Sequence, residues 1–235
     1  MLSYIKVFFL IIYSIICSVF ALLFSLIDRT HFLYFKLAKV FSKGILTIAG
    51  VKLQVYGLEN FDHNSTFVFV SNHASQLDIP VLQFTIPNRI SIVFKKELSR
   101  IPLFGWQLVL GPYIMIDRSN PDAAMKSIEK AKIKMTKGNL SPVVFPEGTR
   151  TETGEVQKFK RGAFYLAVKS GFPIVPVSIS GSYSILPKGR FRINKGEIKV
   201  TFDRPIPTEN VQNRKEELEL MEKVRDIIIQ NLERN

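Results

Sequence analysis

The chain has 235 residues, enough for one full-sized domain with an appendage, and an apolar content of 46% with 19 Phe excludes a disordered chain. A formal charge of +12 points to an anionic partner: nucleic acid, an anionic membrane surface or a phosphorylated substrate. The single cysteine, Cys17, rules out an intramolecular disulfide and suits a reducing compartment, and three scattered histidines (His31, His63, His73) are too few for a zinc cluster.

From Val7 to Ile27, "VFFLIIYSIICSVFALLFSLI" is an uncharged run of 21 residues. As a helix it is roughly 31 Å long, about the hydrocarbon thickness of a bilayer. A cleavable leader fits less well, because the run exceeds a usual apolar leader core and no A-x-A-like site follows. Residues 31–50, "HFLYFKLAKVFSKGILTIAG", place Lys36, Lys39 and Lys43 on one helix face and Phe35, Leu37, Val40, Phe41 and Ile45 largely elsewhere. That pattern describes an interfacial helix with its lysines toward lipid phosphates. Flanking charge is heavier after the run (Arg29, Lys36, Lys39, Lys43) than before it (Lys6), so a spanning helix would leave the following domain in the cytoplasm. A helix pair dipping into one leaflet would also leave the domain at the membrane surface.

Beyond residue 50 strands and helices alternate. Strand-like runs fall at 52–57, 66–71, 89–94, 113–117, 142–146, 173–180 and 197–202, several of them apolar throughout, as expected of strands covered on both faces. A helix over 120–138 has Asn120 as N-cap, Pro121 at its first position, Gly138 as its stop, and Ala124, Ile128, Ala131 and Met135 as its buried stripe. A closing helix over 209–233 carries Leu218, Met221, Val224, Ile228 and Leu232 on one side. The expected fold is α/β: a mostly parallel central sheet flanked by helices over 51–235, preceded over 1–50 by a membrane-associating helix pair.

In such sheets functional groups collect past the C-terminal ends of strands. One such place is "TFVFVSNHASQLD", where His73 follows a strand and Asp78 comes five residues later. Imidazole can take and return a proton near neutral pH, and a carboxylate on its other nitrogen fixes the tautomer. No Ser or Cys nucleophile with a recognisable elbow is near, so the hydroxyl His73 would activate belongs to the substrate. On the spacing alone, a turn with Asn72 and Asp78 as cap residues is the better reading, since one His and one Asp at fixed distance is a weak signal.

The second place is "VVFPEGTR". Phe145-Pro146-Glu147-Gly148 reads as a type I turn, but a turn does not require Thr149 and Arg150. The N–H groups of Gly148 and Thr149, the Thr149 hydroxyl and the Arg150 guanidinium would together cradle a phosphate. Glu147 repels a phosphate, so it should align Arg150 or a lysine, or bond a substrate hydroxyl. Lys95, just past another strand, and Arg118 would add charge to the same pocket; a solvated role for either alone fits as well.

In order and spacing, "NHASQLD" (72–78), "KKELSRIPLFG" (95–105), "GPYIMIDR" (111–118), "FPEGTR" (145–150) and "FKRGAFYLAVKSGFPIVPVSI" (159–179) resemble the glycerolipid acyltransferase family over residues 50–205. The resemblance implies that His73 is a general base on the sn-2 hydroxyl of 1-acyl-sn-glycerol 3-phosphate (lysophosphatidic acid), with Asp78 orienting it. It implies acyl-CoA or acyl-carrier protein as thioester co-substrate, phosphatidic acid as product, and no metal or redox cofactor. Lys95, Glu147, Gly148, Thr149 and Arg150 are implied to bind the glycerophosphate head, at the inner membrane with the catalytic domain facing the cytoplasm. Phe94 stands where many members carry a smaller residue, which bears on pocket shape. "IPLFGWQLVLG" (101–111) is apolar enough to line part of an acyl groove, and Leu103 and Leu108 are its candidates for setting chain length. Rival readings are another lysophospholipid or lyso-amino-acid lipid as acceptor, or a non-catalytic membrane tether. A nucleic-acid partner would not explain the apolar N-terminus.

Overall fold

The computed structural model describes residues 2–117 and 121–234. Two long helices come first, α1 (Leu2–Ile27) and α2 (Phe32–Ala49). They lead into β1 (Val51–Tyr56), β2 (Val68–Ser71), α3 (Asp78–Thr85), β3 (Ile90–Lys95), α4 (Phe104–Leu110), β4 (Ile114–Ile116), α5 (Pro121–Gly138) and β5 (Ser141–Val144). The chain closes with α6 (Gly162–Ser170), β6 (Ile174–Ser180), α7 (Ser182–Ile185), β7 (Gly196–Phe202) and α8 (Arg214–Arg234). All seven expected strands are present, and they form one sheet in the order β1-β7-β6-β2-β5-β3-β4. Every pairing is parallel except β6 with β7.

The central strands are apolar throughout because both sheet faces are covered. In β2, Phe69 joins the core beneath α3 and α4, whereas Val68 and Val70 join the core beneath α5, α6 and α8. The two-residue period of a strand sends alternate side chains into the two cores. Phe61, Phe67, Phe69 and Phe202 meet edge-on or tilted, with ring centroids 5.4–6.3 Å apart, a geometry favoured by the ring quadrupole.

Two helix expectations are corrected. The closing helix starts at Arg214 rather than near 209. Asn213 sets that start: its Oδ1 accepts from Glu216 N (3.0 Å), while Glu216 returns bonds to Gln212 N and the Asn213 amide, a capping box. Its buried stripe carries Leu220, Met221, Val224 and Ile228, and Leu218 is exposed. In α5, Ile128, Ala131 and Met135 are buried as expected; Asn120 and Arg118 lie outside the described residues.

The lysine face of α2 also divides. Lys36 and Lys43 are exposed. Lys39 instead lays its stem along α3 and donates to the carbonyls of Phe84 (3.0 Å) and Ile86, at the end of that helix. Terminal carbonyls lack intrahelical partners and attract cations, so Lys39 ties α2 to the sheet domain rather than to lipid. A buried polar relay adds to the tie: Ser42 bonds Gln83 (3.0 Å), Gln83 bonds Tyr113, and Tyr34 bonds Gln107. The helix pair itself crosses closely at Gly44, where any Cβ would strike the Tyr13 ring. The outer face of α1 stays bare, and Ser3–Ile27 is long and apolar enough to cross a membrane.

Phe69, wholly buried between strands and aromatic neighbours, tests the core directly. Phe69→Ala is expected to cost about 3–5 kcal/mol, read as a lowered denaturation midpoint; an unchanged midpoint would remove Phe69 from the core.

Candidate active site

β2 and β5 are parallel neighbours, with Phe69 beside Val143 and Val70 beside Val144. Their C-terminal ends therefore deliver the 72–78 loop and the 145–151 loop to one place. Asn72 fixes the exit of the first loop: its amide donates to Ile179 O and its Oδ1 accepts from Ile179 N, both at 2.9 Å. This clamp to β6 turns the chain out of the sheet and aims the next residue at the strand end.

His73 Nδ1 lies 2.8 Å from Asp78 Oδ2. Asp78 opens α3, and the same oxygen accepts from the N–H groups of Ala74 and Ser75, both at 2.8 Å. Three donors on one buried oxygen hold the carboxylate in place, and the carboxylate holds the ring. With Nδ1 donating, Nε2 keeps its lone pair, and it has no hydrogen-bond partner among the described residues. The imidazole is 14% exposed and stacks on Phe145, with centroids 4.0 Å apart and planes 19° apart. Stacking covers one ring face and leaves the Nε2 edge without a hydrogen-bond partner among the described residues.

The second loop is fastened to the first. Glu147 Oε1 accepts from His73 N (2.7 Å), and Thr151 N donates to His73 O (2.9 Å). Glu147 is buried, and its other oxygen accepts from both the backbone N–H and the side-chain amide of Gln157, each at 3.1 Å. Burial pushes the Glu147 carboxyl above the usual range, while the N–H groups of His73 and Gln157 pull the other way. The expected alignment of Arg150 or a lysine by Glu147 is not found among the described residues; its oxygens are committed to backbone and amide donors. Gly148 N bonds Phe145 O (3.0 Å), which closes the expected turn, and Gly148 takes φ 76°, a left-handed conformation that suits glycine. Thr149 is exposed and Arg150 half-exposed. Neither side chain is engaged by a hydrogen bond or ion pair among the described residues, so both are available to a ligand.

A profile of the acyltransferase family matches residues 52–180, more than half of the chain. This chain belongs to the acyltransferase family. A protein of Cocos nucifera named 1-acyl-sn-glycerol-3-phosphate acyltransferase is 36% identical over 171 residues, spanning 73% of this chain and 55% of that protein. A Saccharomyces cerevisiae protein of the same name is 33% identical over 222 residues, spanning 94% of this chain and 72% of its own. The chain spans 45–66% of the length of the plant relatives it matches. Among solved structures, the 1-acyl-sn-glycerophosphate (LPA) acyltransferase PlsC from Thermotoga maritima superposes with a TM-score of 0.83 at 27% identity, covering 99% of this chain and 94% of that one.

In this member of the family Lys95 ends β3, exposed and separated from β2 by β5. It shares the C-terminal side of the sheet with His73, and its ammonium makes no hydrogen bond or ion pair among the described residues. The 101–111 stretch divides between two surfaces. Phe104 and Leu108 line a cavity of about 130 Å³ together with Ala38, Ile79, Phe94 and Tyr113. Trp106, Val109 and Leu110 face outward, each about half exposed. Gln157 had no signature in the sequence, because its role rests on a fold that brings it under Glu147. Gln157→Ala keeps the backbone donor but removes the amide bonds to Glu147 and Thr149 O (3.2 Å). At roughly 1–2 kcal/mol for such bonds, turnover should fall about tenfold, with substrate KM values moved less; a change confined to KM would make Gln157 a substrate contact instead.

Proposed function

We propose that this acyltransferase moves a fatty acyl group from a CoA or acyl-carrier-protein thioester to the sn-2 hydroxyl of 1-acyl-sn-glycerol 3-phosphate, giving phosphatidic acid. The observation that carries the reading is the His73–Asp78 pair, at 2.8 Å, with its outer nitrogen free beside the 147–151 loop. Nε2 takes the proton of the sn-2 hydroxyl as the oxygen attacks the thioester carbonyl. Asp78 steadies the imidazolium that forms. The tetrahedral intermediate collapses, the carbon–sulfur bond breaks, and the thiolate leaves as a thiol with the proton from Nε2. Phosphatidic acid and the free carrier thiol result, and the scheme asks for no cofactor beyond the thioester.

Gly148, Thr149 and Arg150 hold the glycerophosphate, with Arg150 able to fork onto two phosphate oxygens. Lys95 adds positive charge at the rim. Glu147 belongs to the same site as a positioning residue, because its oxygens already serve His73 and Gln157. Residues 1–50 attach the enzyme to the membrane that holds its acceptor, and residues 51–235 work on the cytoplasmic side. Support for that orientation is the basic charge of Arg29, Lys36 and Lys43 after the apolar run.

Purified protein in mixed micelles, given oleoyl-CoA and 1-acyl-glycerol 3-phosphate, should form phosphatidic acid. His73→Ala should lower the rate by about 10²–10⁴, the range for a general base. Turnover with a different lysolipid but not with this one would move the acceptor; equal rates for wild type and mutant would overturn the base assignment. Leu108→Phe, which fills the cavity beside Phe94 and Phe104, should shift donor preference toward shorter chains. An unchanged chain-length profile would remove that cavity from the acyl path.

A further inference from the structure

The segment after α7, "LPKGRFRINK" (186–195), takes no part in the site chemistry, yet its composition and placement are unusual. Phe191 is 72% exposed, more than any other phenylalanine among the described residues. Arg190, Arg192 and Lys195 around it are exposed and make no ion pair among the described residues, whereas Lys188 is taken by Glu152 at 2.9 Å. The loop is not adrift. Ile193 is buried in the core, Ser75 Oγ bonds Leu186 O (2.8 Å), and Asn194 bonds Ile185 O and Ser184 O. A folded loop that anchors its aliphatic residue and presents its aromatic one is built to show that ring to something.

Its neighbour identifies the something. Arg190, Phe191 and Ile193 form one wall of a groove of about 440 Å³, and Leu10, Ile11 and Ile15 of α1 form part of the other. No acidic residue lines this groove among the described residues. α1 is the one helix among the described residues long and apolar enough to cross a membrane. Phe191 therefore continues the apolar surface made by Ile11 and Ile15 of α1 and by Ile101, which line the same groove and are exposed. Lys6 and Lys195 approach each other at the end of α2, where Lys6 donates to Ala49 O, which extends a basic collar around the same end of α1. An aromatic ring level with an apolar helix, ringed by unpaired cations, matches the layered chemistry of an anionic bilayer surface.

We propose that the 187–195 loop is a second membrane contact, in which Phe191 enters the acyl layer beside α1 while Arg190 and Arg192 bind phosphates of anionic lipids. It rests on the membrane attachment proposed above, in the form where the helix pair dips into one leaflet so that both ends of α1 lie at the same surface, and adds a docking point next to the 72–78 loop, through the Ser75–Leu186 bond. With the helix pair alone in the leaflet, the domain fastened to it is free to rock against the surface. A second contact on the 187–195 loop fixes the mouth of the site against the leaflet.

The test uses the full chain with Cys17→Ser and Phe191→Cys, labelled with nitrobenzoxadiazole and reconstituted in phosphatidylcholine vesicles with or without phosphatidylglycerol. Glu209→Cys, exposed beyond the far end of β7, past the Ile206–Ile174 bridge at the start of β6, is the control. The label at 191 should shift to the blue and be quenched by lipids carrying a shallow doxyl group, more so with phosphatidylglycerol, while the label at 209 stays in water. Replacing Arg190 and Arg192 by Gln should weaken the phosphatidylglycerol-dependent part roughly fivefold per arginine, the scale of one basic residue at an anionic surface. A label at 191 as wet as that at 209 overturns the proposal, as does quenching indifferent to both lipid charge and the arginines. A raised KM for acyl-CoA in the arginine variants with unchanged quenching would reassign the cations to the donor and also overturn it. The readout is optical, so an inactive protein that still shows the quenching counts against the acyl-transfer reading alone.

Discussion

One buried carboxylate joins the halves of the site. Glu147 reaches from the loop after β5 to the backbone of His73, 74 residues earlier in the chain, and its second oxygen is held by Gln157. Desolvating a carboxylate is costly unless its lone pairs are met by donors. Here three N–H groups meet them, and each donor belongs to a segment that must be in register for the site to work. Protonating Glu147 would turn an acceptor oxygen into a donor facing an N–H and loosen the link between the loop that carries His73 and the loop that carries Arg150. The arrangement reaches further: Arg225 of α8 donates to the carbonyls of Gln157 and Val156. The closing helix thus stands behind the segment that holds Glu147.

The sheet was legible because its strands carry their signal locally. Apolar runs such as 66–71 and 173–180 announce strands covered on both faces, and the structure returns them within a residue or two. α3 was harder to see. It has only 8 residues, of which Asp78, Pro80, Val81, Leu82 and Gln83 are all buried, so no polar face exists to mark a helical period. The sequence marks only its first residue, Asp78, as a cap residue of the turn after β2. The start of α8 was misplaced because the decisive signal is a reciprocal Asn213–Glu216 cap rather than the apolar pattern behind it.

The site was half legible for a similar reason. His73, Asp78 and the 147–150 loop are contiguous motifs, whereas Gln157 and Asn72 act through tertiary hydrogen bonds that no spacing encodes. Glu147 was visible but its partners were not, so its charge suggested a salt bridge where the fold supplies backbone N–H groups. Lys39 shows the same limit. Its periodicity put it on a polar face, yet its long stem is buried and its ammonium rests on helix-end carbonyls, where burial lowers its pKa to about 8.

The stacking of His73 on Phe145 has a kinetic consequence. With one ring face covered at 4.0 Å and Nδ1 tied to Asp78, the imidazole is held with a single nitrogen for proton traffic. For the proposed reaction, the proton taken from the alcohol must leave through the same edge to the departing sulfur. Both substrates then have to be present together before any bond changes, with no acylated enzyme waiting in between. Double-reciprocal velocity plots at several fixed concentrations of the second substrate should form intersecting lines, the signature of a ternary complex, rather than a parallel family.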